Sequence, residues 1–383
     1  MSTKQPTIRD VARLSGTSIA SVSRVLNKKD YPVSAELRAR IEKAVAELDY
    51  HPNWHGRSLR QRWTEEIGIV VPGLVNPFYG ELMEAAHRAC LEAGLFPSIH
   101  SSDGDPAREQ ELIRGLLQRQ AGGLLLSPTC NSEVLEQELD GHLPLVLFDQ
   151  TLGDGGRWPA VHFDFVAGGR LAGDHLLATG HRRIALISPD FSLSSRRLIR
   201  KGLAAAIARA QSASSQTIAD LEIFTAVNVG SPAATTNQFA LEVAHMLAMH
   251  PDRFDALVTV NDLLAASLLH ALQTLGFAVP RDISLLSFDN TILASLVKPE
   301  LTAVHQDATR TAELAVELLV AARAGEAVSF RHIIPTLIQR DSVSIRRDRR
   351  TWENASRSQG SAPLTAASAE INRSGASPSR SQE

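Results

Sequence analysis

From Glu66 onward, short apolar runs alternate with longer amphipathic stretches, and this alternation constrains the fold more than any other feature. The runs IGIVVP, GGLLLSP and LPLVLFD are almost wholly apolar, which is typical of strands buried on both faces. Between such runs, stretches such as PFYGELMEAAHRACLEAG carry apolar residues at helical spacing. Strand–helix repetition predicts parallel sheets with crossover helices, and two successive series predict two doubly wound lobes.

The segment from Thr7 to Asn27 follows a different pattern, that of two short amphipathic helices separated by a turn at Gly16. Thr7 and Ser18 are the predicted N-caps, and Asp10 completes a capping-box spacing after Thr7. The predicted apolar face of the first helix comprises Ile8, Val11, Ala12 and Leu14. A third helix, capped by Ser34, would close a small all-α core.

The second of these helices carries a face suited to a DNA groove. Its apolar residues point towards the first helix, which leaves small or hydroxylic groups and one guanidinium towards solvent: Ile19, Ala20, Ser21, Ser23 and Arg24. Small side chains permit a close approach, and Arg24 is available to a phosphate or to a guanine edge. The alternative interpretation is an ordinary helical hairpin with a solvated face.

Charge is distributed unevenly along the chain. Residues 1–62 contain 12 Lys and Arg against six Asp and Glu, a net charge of +6, whereas the remainder carries −9 and the whole chain −3. A basic head on an acidic body suits DNA binding, because released counterions drive the affinity. A basic solubility tail is the alternative, but it does not explain the helical periodicity of this segment.

Length and motif content narrow the class of protein. At 383 residues the chain is too long for a single hydrophobic core, so we expect two or three domains. The lack of a long apolar run or signal peptide predicts a cytoplasmic protein. Cys90 and Cys130 are isolated and the His residues lack ligand spacing, so we expect no metal. Dinucleotide, P-loop and nucleophile-elbow motifs are absent, so we expect no cofactor and no catalytic residues. An enzyme on a doubly wound fold is kept as one alternative.

Polar residues follow several of the predicted strands: Asn76, Asp103, Asp149, Asn261 and Asp289. For any one of them, a helix cap is as good an interpretation as a ligand contact. Together they favour a polar cleft for a small molecule, because ligands bind beyond the carboxyl ends of parallel strands.

Several motifs, in this order, closely resemble the lactose-repressor (LacI/GalR) family of bacterial transcription regulators. Over about residues 7–345 they are TIRDVARLSGTSIASVSRVLN, Tyr50-His51-Pro52-Asn53, Asn76-Pro77-Phe78, Gly180-His181-Arg182-Arg183-Ile184, Asn261-Asp262, Ser287-Phe288-Asp289 and Leu301-Thr302-Ala303-Val304. The resemblance implies a homodimer on near-palindromic, double-stranded operator DNA, controlled by a small-molecule effector such as a sugar, with no membrane role.

The resemblance also implies the domain organisation. A helix-turn-helix head would occupy residues 1–52, and a hinge helix and linker residues 53–63. An effector-binding and dimerisation core of periplasmic-binding-protein type I, with two parallel-sheet lobes, would occupy residues 64–345. Residues 346–383 are polar and rich in Ser and Ala, which predicts a disordered tail.

The DNA-contact residues carried over from the family are Thr7, Ser18, Ile19, Ala20, Ser21, Ser23, Arg24, Asn27, Tyr50, Asn53, Arg57, Leu59 and Arg60. Ile19 and Ala20 hold the main reading positions, where they can meet thymine methyl groups but cannot make bidentate bonds to guanine. Leu59 resembles the residue wedged into the central minor-groove step, the alternative being packing against the core. Gly56 stands where the family usually has Ala, which should cost the hinge helix about 1 kcal/mol.

The predicted effector-binding residues are Phe78, Tyr79, Asp103, Phe163, Ser195, Arg197, Arg200, Asn261 and Asp289. Aromatic rings with an amide and a carboxylate suit a neutral or cationic polyhydroxylated or nitrogenous metabolite. Arg197 or Arg200 reaching inward would favour an anion instead. Ile199 stands three residues before Gly202, where the family has Arg. We interpret the chain as a ligand-responsive repressor; the rival interpretation is a solute-binding protein without a DNA role.

Overall fold

The computed structural model of this chain describes residues 6–26, 33–50, 64–139, 143–150, 152, 158–189, 193–213, 221–225 and 232–346. The predicted hinge helix Asn53–Arg60, the DNA-contact residue Asn27 and residues 347–383 of the predicted tail lie outside these residues. Contacts divide the chain into two units. Unit one comprises residues 1–74, 82–161 and 309–331, and unit two comprises residues 75–81, 162–308 and 332–383.

Three helices at the amino-terminal end form a core of their own: α1 (Ile8–Leu14), α2 (Ile19–Leu26) and α3 (Ala35–Glu47). The predicted N-caps are confirmed by hydrogen bonds. The backbone N–H of Thr7 donates to Asp10 Oδ2 at 2.9 Å, and that of Ser21 donates to Ser18 Oγ at 3.1 Å. Ser34 likewise caps α3, because its hydroxyl oxygen accepts a hydrogen bond from the third residue of the turn.

The core of this head is built as predicted except at Leu14. Val11, Val22 and Ile41, one from each helix, are fully buried. Leu14 is 46% exposed, so its predicted place on the apolar face was wrong. The buried stripe of α1 continues from Val11 to Ser15 at the i+4 spacing, and successive helical residues are 100° apart, which turns Leu14 away from the stripe.

The first sheet belongs mainly to unit one and has the strand order β11-β5-β4-β3-β1-β2. Its strands are β1 (Glu66–Val71), β2 (Phe96–Ser101), β3 (Gly123–Leu126), β4 (Leu145–Asp149), β5 (Ala160–Phe163) and β11 (Arg331–Ile333). The helices between its first four strands are α4 (Pro77–Glu92), α5 (Pro106–Gln118) and α6 (Ser132–Leu139). β1 pairs in parallel with both β2 and β3, as expected of a doubly wound sheet.

The second sheet repeats this strand order in unit two, as β12-β10-β9-β8-β6-β7. Its strands are β6 (Ile184–Ile187), β7 (Glu222–Phe224), β8 (Ala256–Thr259), β9 (Ser284–Asp289), β10 (Thr302–His305) and β12 (Thr336–Ile338). The remaining helices are α7 (Phe165–Ala178), α8 (Ser194–Ala213), α9 (Pro232–Met249), α10 (Asp262–Thr274), α11 (Ile292–Leu296) and, following β10, α12 (Ala308–Ala324). In this sheet β12 pairs antiparallel with β10 and the other four neighbouring pairs of described strands are parallel, so the predicted doubly wound α/β fold is confirmed.

Helices α7 and α8 cross at two glycines, and this crossing sets the position of the start of α8. A β-carbon on Gly202 would overlap the carbonyl oxygen of Val166, and one on Gly169 would overlap that of Ile199. The backbones therefore approach more closely than any side chain would allow. In the part of the chain that the structure describes, no helix is long and apolar enough to cross a bilayer.

Candidate DNA-binding surface and effector site

The outward face of α2 has the composition that the sequence predicted. Ile19 is 45% exposed, and Ser18, Ala20 and Arg24 are also exposed. Ser21 and Ser23 are half-buried. The opposite face of α2 packs into the head core, so this helix presents short side chains and one guanidinium outwards, as docking into a major groove requires.

A contact from α3 fixes the turn between α1 and α2. Arg40 Nη2 donates to the carbonyl oxygens of Ser15 at 3.0 Å and of Gly16 at 3.3 Å. Gly16 has φ +62°, a conformation that glycine adopts without a steric penalty. The turn at Gly16 was predictable from the sequence but the contact from Arg40 was not, because no local pattern indicates a bond across 25 residues.

The remaining predicted DNA-contact residues do not lie on the outward face of α2 as the structure describes it. Thr7 is the N-cap of α1, and its hydroxyl donates a hydrogen bond to Asp10 Oδ2 at 2.7 Å. The Tyr50 side chain is only 8% exposed and packs into the head core, so the structure places it there and not on the outer face. Asn27, Asn53, Arg57, Leu59 and Arg60 lie outside the described residues.

Unit two contains two pairs of contacting aromatic rings near the predicted effector site. Phe78 and Tyr79, in the first turn of α4, are almost fully buried, with ring centroids 5.3 Å apart in an edge-to-face arrangement. Phe163 and Phe165 flank the start of α7 in the same way, with centroids 4.9 Å apart. Edge-to-face pairs of this kind are stabilising, and they hold the rings in defined orientations.

Asn261 follows β8 and Asp289 is the last residue of the neighbouring parallel strand β9, so both lie at the same edge of the second sheet. Asn261 Oδ1 accepts a hydrogen bond from the backbone N–H of Leu264 at 2.8 Å, so this oxygen caps α10. Asp289 has φ +94°, is 7% exposed and accepts a hydrogen bond from Asn76 Nδ2 at 3.1 Å. A non-glycine residue at positive φ is strained, which is common at ligand sites.

Asp262, which follows Asn261 and was not among the predicted effector-binding residues, is hydrogen-bonded to two residues near the end of β9. Its carboxylate accepts hydrogen bonds from Thr291 N at 2.6 Å, from Thr291 Oγ1 at 2.9 Å and from the hydroxyl of Ser287. Burial raises the pKa of the Asp262 carboxyl to about 6, against the opposing effect of these hydrogen bonds. Since Thr291 follows Asp289 by two residues, Asp262 holds the strained turn in place.

Helix α8 presents Ser195, rather than the two predicted arginines, on its buried side. Ser195 is 8% exposed, whereas Arg197 and Arg200 are exposed. Ile199 is buried against the α7 crossing, so no guanidinium occupies the position three residues before Gly202. Arg196, one turn before Ile199, has an Nη1 atom shielded from solvent and was not among the predicted residues.

In unit one, the predicted residue Asp103 and the unassigned Asp149 differ in their surroundings. Asp103 is exposed and forms an ion pair with Arg108. Asp149, at the end of β4, is 2% exposed and has φ +62°. Its Oδ2 accepts hydrogen bonds from Ser127 Oγ at 3.1 Å and from Gln150 Nε2 at 3.0 Å. Asp149 thus resembles Asp289, at the corresponding edge of the other sheet.

Comparisons with known proteins agree with both parts of this description. The family model described as bacterial regulatory proteins, lacI family, matches residues 7–53, and a periplasmic binding protein-like domain matches residues 173–343. The ribose operon repressor of Escherichia coli (strain K12) is 32% identical over 320 residues, which cover 82% of this chain and 92% of that protein.

Two solved structures are also similar. The Lac repressor dimer bound to operator and the anti-inducer ONPF has 25% identity and a TM-score of 0.75, covering 89% of this chain and 100% of that one. The complex of the transcriptional regulator CelR with cellobiose has 26% identity and a TM-score of 0.62, covering 88% of this chain and 99% of that one.

Proposed function

This chain belongs to the lacI family of bacterial regulatory proteins, and we propose that it acts as a homodimeric repressor whose operator affinity is set by a small polar effector. The observation that carries the proposal is the exposed face of α2 on a three-helix head with its own core. A cytoplasmic protein associated with the nucleoid fits this role.

The operator is read by α2 in the major groove. Ile19 and Ala20 are exposed and apolar, so they favour thymine methyl groups at the base pairs they meet. Arg24, on the same face, supplies a phosphate or guanine contact. In a homodimer, two such heads would face two half-sites of a near-palindromic operator, as two-fold symmetry requires.

The effector is proposed to be a neutral, polyhydroxylated molecule of the sugar class. Buried aromatic rings at Phe78 and Phe163 supply flat apolar surfaces, and Asp289 supplies a carboxylate that accepts hydrogen bonds from hydroxyl groups. Because Arg197 and Arg200 are exposed, the reason for expecting an anion is weakened. The CelR complex, a relative bound to cellobiose, supports the same class.

The DNA-binding part of the proposal is tested by selecting duplexes from a random pool with the full-length chain. We expect a near-palindromic consensus with thymine in each half-site, bound by a dimer in sedimentation experiments. A gel shift with the selected site should show specific retention at physiological salt. Equal binding to a scrambled duplex would contradict sequence-specific recognition, and no retention of either duplex would support the rival solute-binding protein.

The effector part is tested by titration calorimetry of the full-length chain with D-ribose, D-galactose, cellobiose and, as an anionic comparison, D-gluconate. We expect at least one neutral sugar to bind and to change the retention of the selected duplex. Binding of gluconate alone would contradict the neutral class. The named relatives are regulators, which favours this role over an enzyme, and the absence of sugar turnover in the same samples would agree with it.

A further inference from the structure

Both ends of the Asn76 side-chain amide are engaged. Asn76 Oδ1 accepts a hydrogen bond from the backbone N–H of Phe78 at 3.2 Å. Asn76 Nδ2 donates to Asp289 Oδ2 at 3.1 Å, although the two residues are 213 positions apart in the chain. One short side chain therefore joins the beginning of α4 to the end of β9.

The groups that Asn76 joins are predicted effector-binding residues. Phe78 and Tyr79 form the buried aromatic pair, and the backbone N–H of Tyr79 also donates to the Asn76 carbonyl oxygen at 3.0 Å. Asp289 is the buried carboxylate at the strained end of β9. Asn76, Phe78, Tyr79 and Asp289 all belong to unit two.

We propose that Asn76 is a positioning residue of the effector site, which holds the Asp289 carboxylate and the aromatic start of α4 in one frame before the effector binds. The proposal rests on the proposed function, because it concerns the same site. A site organised in advance loses less entropy when it binds a ligand, so such a link raises effector affinity.

The chemistry of the link requires an amide. The site needs an acceptor for the Phe78 N–H and a donor for the Asp289 carboxylate, and the asparagine amide supplies both. Aspartate at position 76 would keep the acceptor but place a second negative charge beside Asp289, and alanine would remove both bonds. The two substitutions therefore separate helix capping from positioning of the carboxylate.

The link itself is tested without any effector, by amide hydrogen exchange of the full-length chain. We expect Asp289→Ala to raise the exchange of the Phe78 and Tyr79 amides severalfold, and Asn76→Asp to do the same. The double variant Asn76→Asp with Asp289→Asn should restore the protection of the Phe78 and Tyr79 amides, because position 289 then carries the donor and position 76 the acceptor. Asn131→Ala is the matched control, since Asn131 Oδ1 caps α6 through Val134 N at 3.1 Å. Unchanged exchange in Asp289→Ala would overturn the link.

The consequence for binding is tested by calorimetry with D-ribose and the other neutral sugars named above. Loss of a hydrogen bond to a buried charged group predicts about tenfold weaker binding in Asn76→Ala. Asn76→Asp should bind at least as weakly, whereas a role limited to capping α4 predicts near-wild-type affinity for it. Wild-type affinity in Asn76→Asp would overturn the proposal. If no sugar binds the wild-type chain, the proposed effector class fails, and the exchange experiment alone decides whether Asn76 joins the two elements.

Discussion

At the residue scale, burial lowers the pKa of one side chain in unit two, His181, and raises the pKa of another, Asp262. His181 is fully buried, with Nε2 2.9 Å from Ser284 Oγ, and burial lowers its pKa to about 4, while nearby Asp255 opposes the shift. Burial raises the pKa of Asp262 from 3.8 to about 6. In both cases the neutral form is favoured because desolvation penalises the charged form.

These shifts predict opposing contributions to stability in mild acid. As the pH falls from about 6.5 to 4, the unfolded state protonates His181 and the folded state does not, so its contribution to the free energy of unfolding is lost. Between about pH 6 and 3.8 the folded state binds the Asp262 proton more tightly, so acidification is stabilising there. Asp262→Asn should therefore steepen the loss of stability on acidification relative to wild type, by up to about 3 kcal/mol over the window.

The measurement is urea unfolding at half-unit steps from pH 6.5 to 3.5, which spans both windows. His181→Gln serves as the opposite control, because it removes the destabilising term and should flatten the same curve. The slopes are compared rather than the absolute stabilities, since both substitutions also break buried hydrogen bonds. Identical slopes in wild type and both variants would contradict the assigned protonation states.

A second prediction at this scale concerns Arg24. Because Arg24 is exposed on the outward face of α2, which we propose to read the operator, Arg24→Ala should weaken binding to the selected operator by about 1–3 kcal/mol without unfolding the protein. Arg13→Ala is the matched control, since Arg13 is an exposed arginine at the end of α1 and forms an ion pair with Asp10. Gel shifts measure the operator affinity of both variants. An equal loss of affinity in the two would mean that only the net charge of the head contributes to binding, and not the position of Arg24.

At the scale of elements, the crossing of α7 and α8 depends on residues without side chains. Gly169 and Gly202 meet so closely that a β-carbon on either would overlap backbone of the opposite helix. The same crossing buries Ile199 and places Ser195, at the start of α8, on the buried side. The spacing of two helices therefore decides which groups of α8 are available to a ligand.

Substitution of these glycines should separate packing from helix propensity. Gly202→Ala should destabilise the protein by about 1–3 kcal/mol, because the backbones of α7 and α8 must move apart. Gly115→Ala, in the interior of α5, meets only the flexible end of Arg119 and should stabilise by up to about 1 kcal/mol. Denaturant unfolding of the two variants measures both effects; a stabilised Gly202→Ala would show that the helices are not tightly packed there.

At the scale of the whole molecule, the uneven charge predicts how binding depends on salt. The first 62 residues carry a net charge of +6 and the rest −9, so the positive charge that DNA meets is concentrated in the head and the linker. For six to ten phosphate contacts, raising salt from about 50 to about 200 mM should lower operator affinity by about a thousandfold or more. Affinity for a neutral sugar, measured in the same buffers, should change little. A flat salt dependence of DNA binding would contradict an electrostatic role for this segment.

Much of this organisation follows from the sequence because it depends on local or periodic features. The caps at Thr7, Ser18 and Ser34 involve residues three positions apart. The strands with an almost wholly apolar sequence are buried, as that composition predicts. The alternation of strands and helices then leaves few topologies, which is why two doubly wound sheets could be predicted. The exposed face of α2 follows from the same helical periodicity.

The contacts within the proposed effector site could not be predicted without the tertiary structure. Asn76 and Asp289 are 213 residues apart, and Asp262 and Thr291 are 29 apart, so no local pattern could pair them. Whether Arg196, Arg197 or Arg200 turns inward depends on the rotation of α8, and that rotation is set by Gly169 and Gly202 on two different helices. Periodicity determines which faces are buried, but only packing between elements distant in the chain decides which polar groups meet, because those contacts are absent until the sheets have formed.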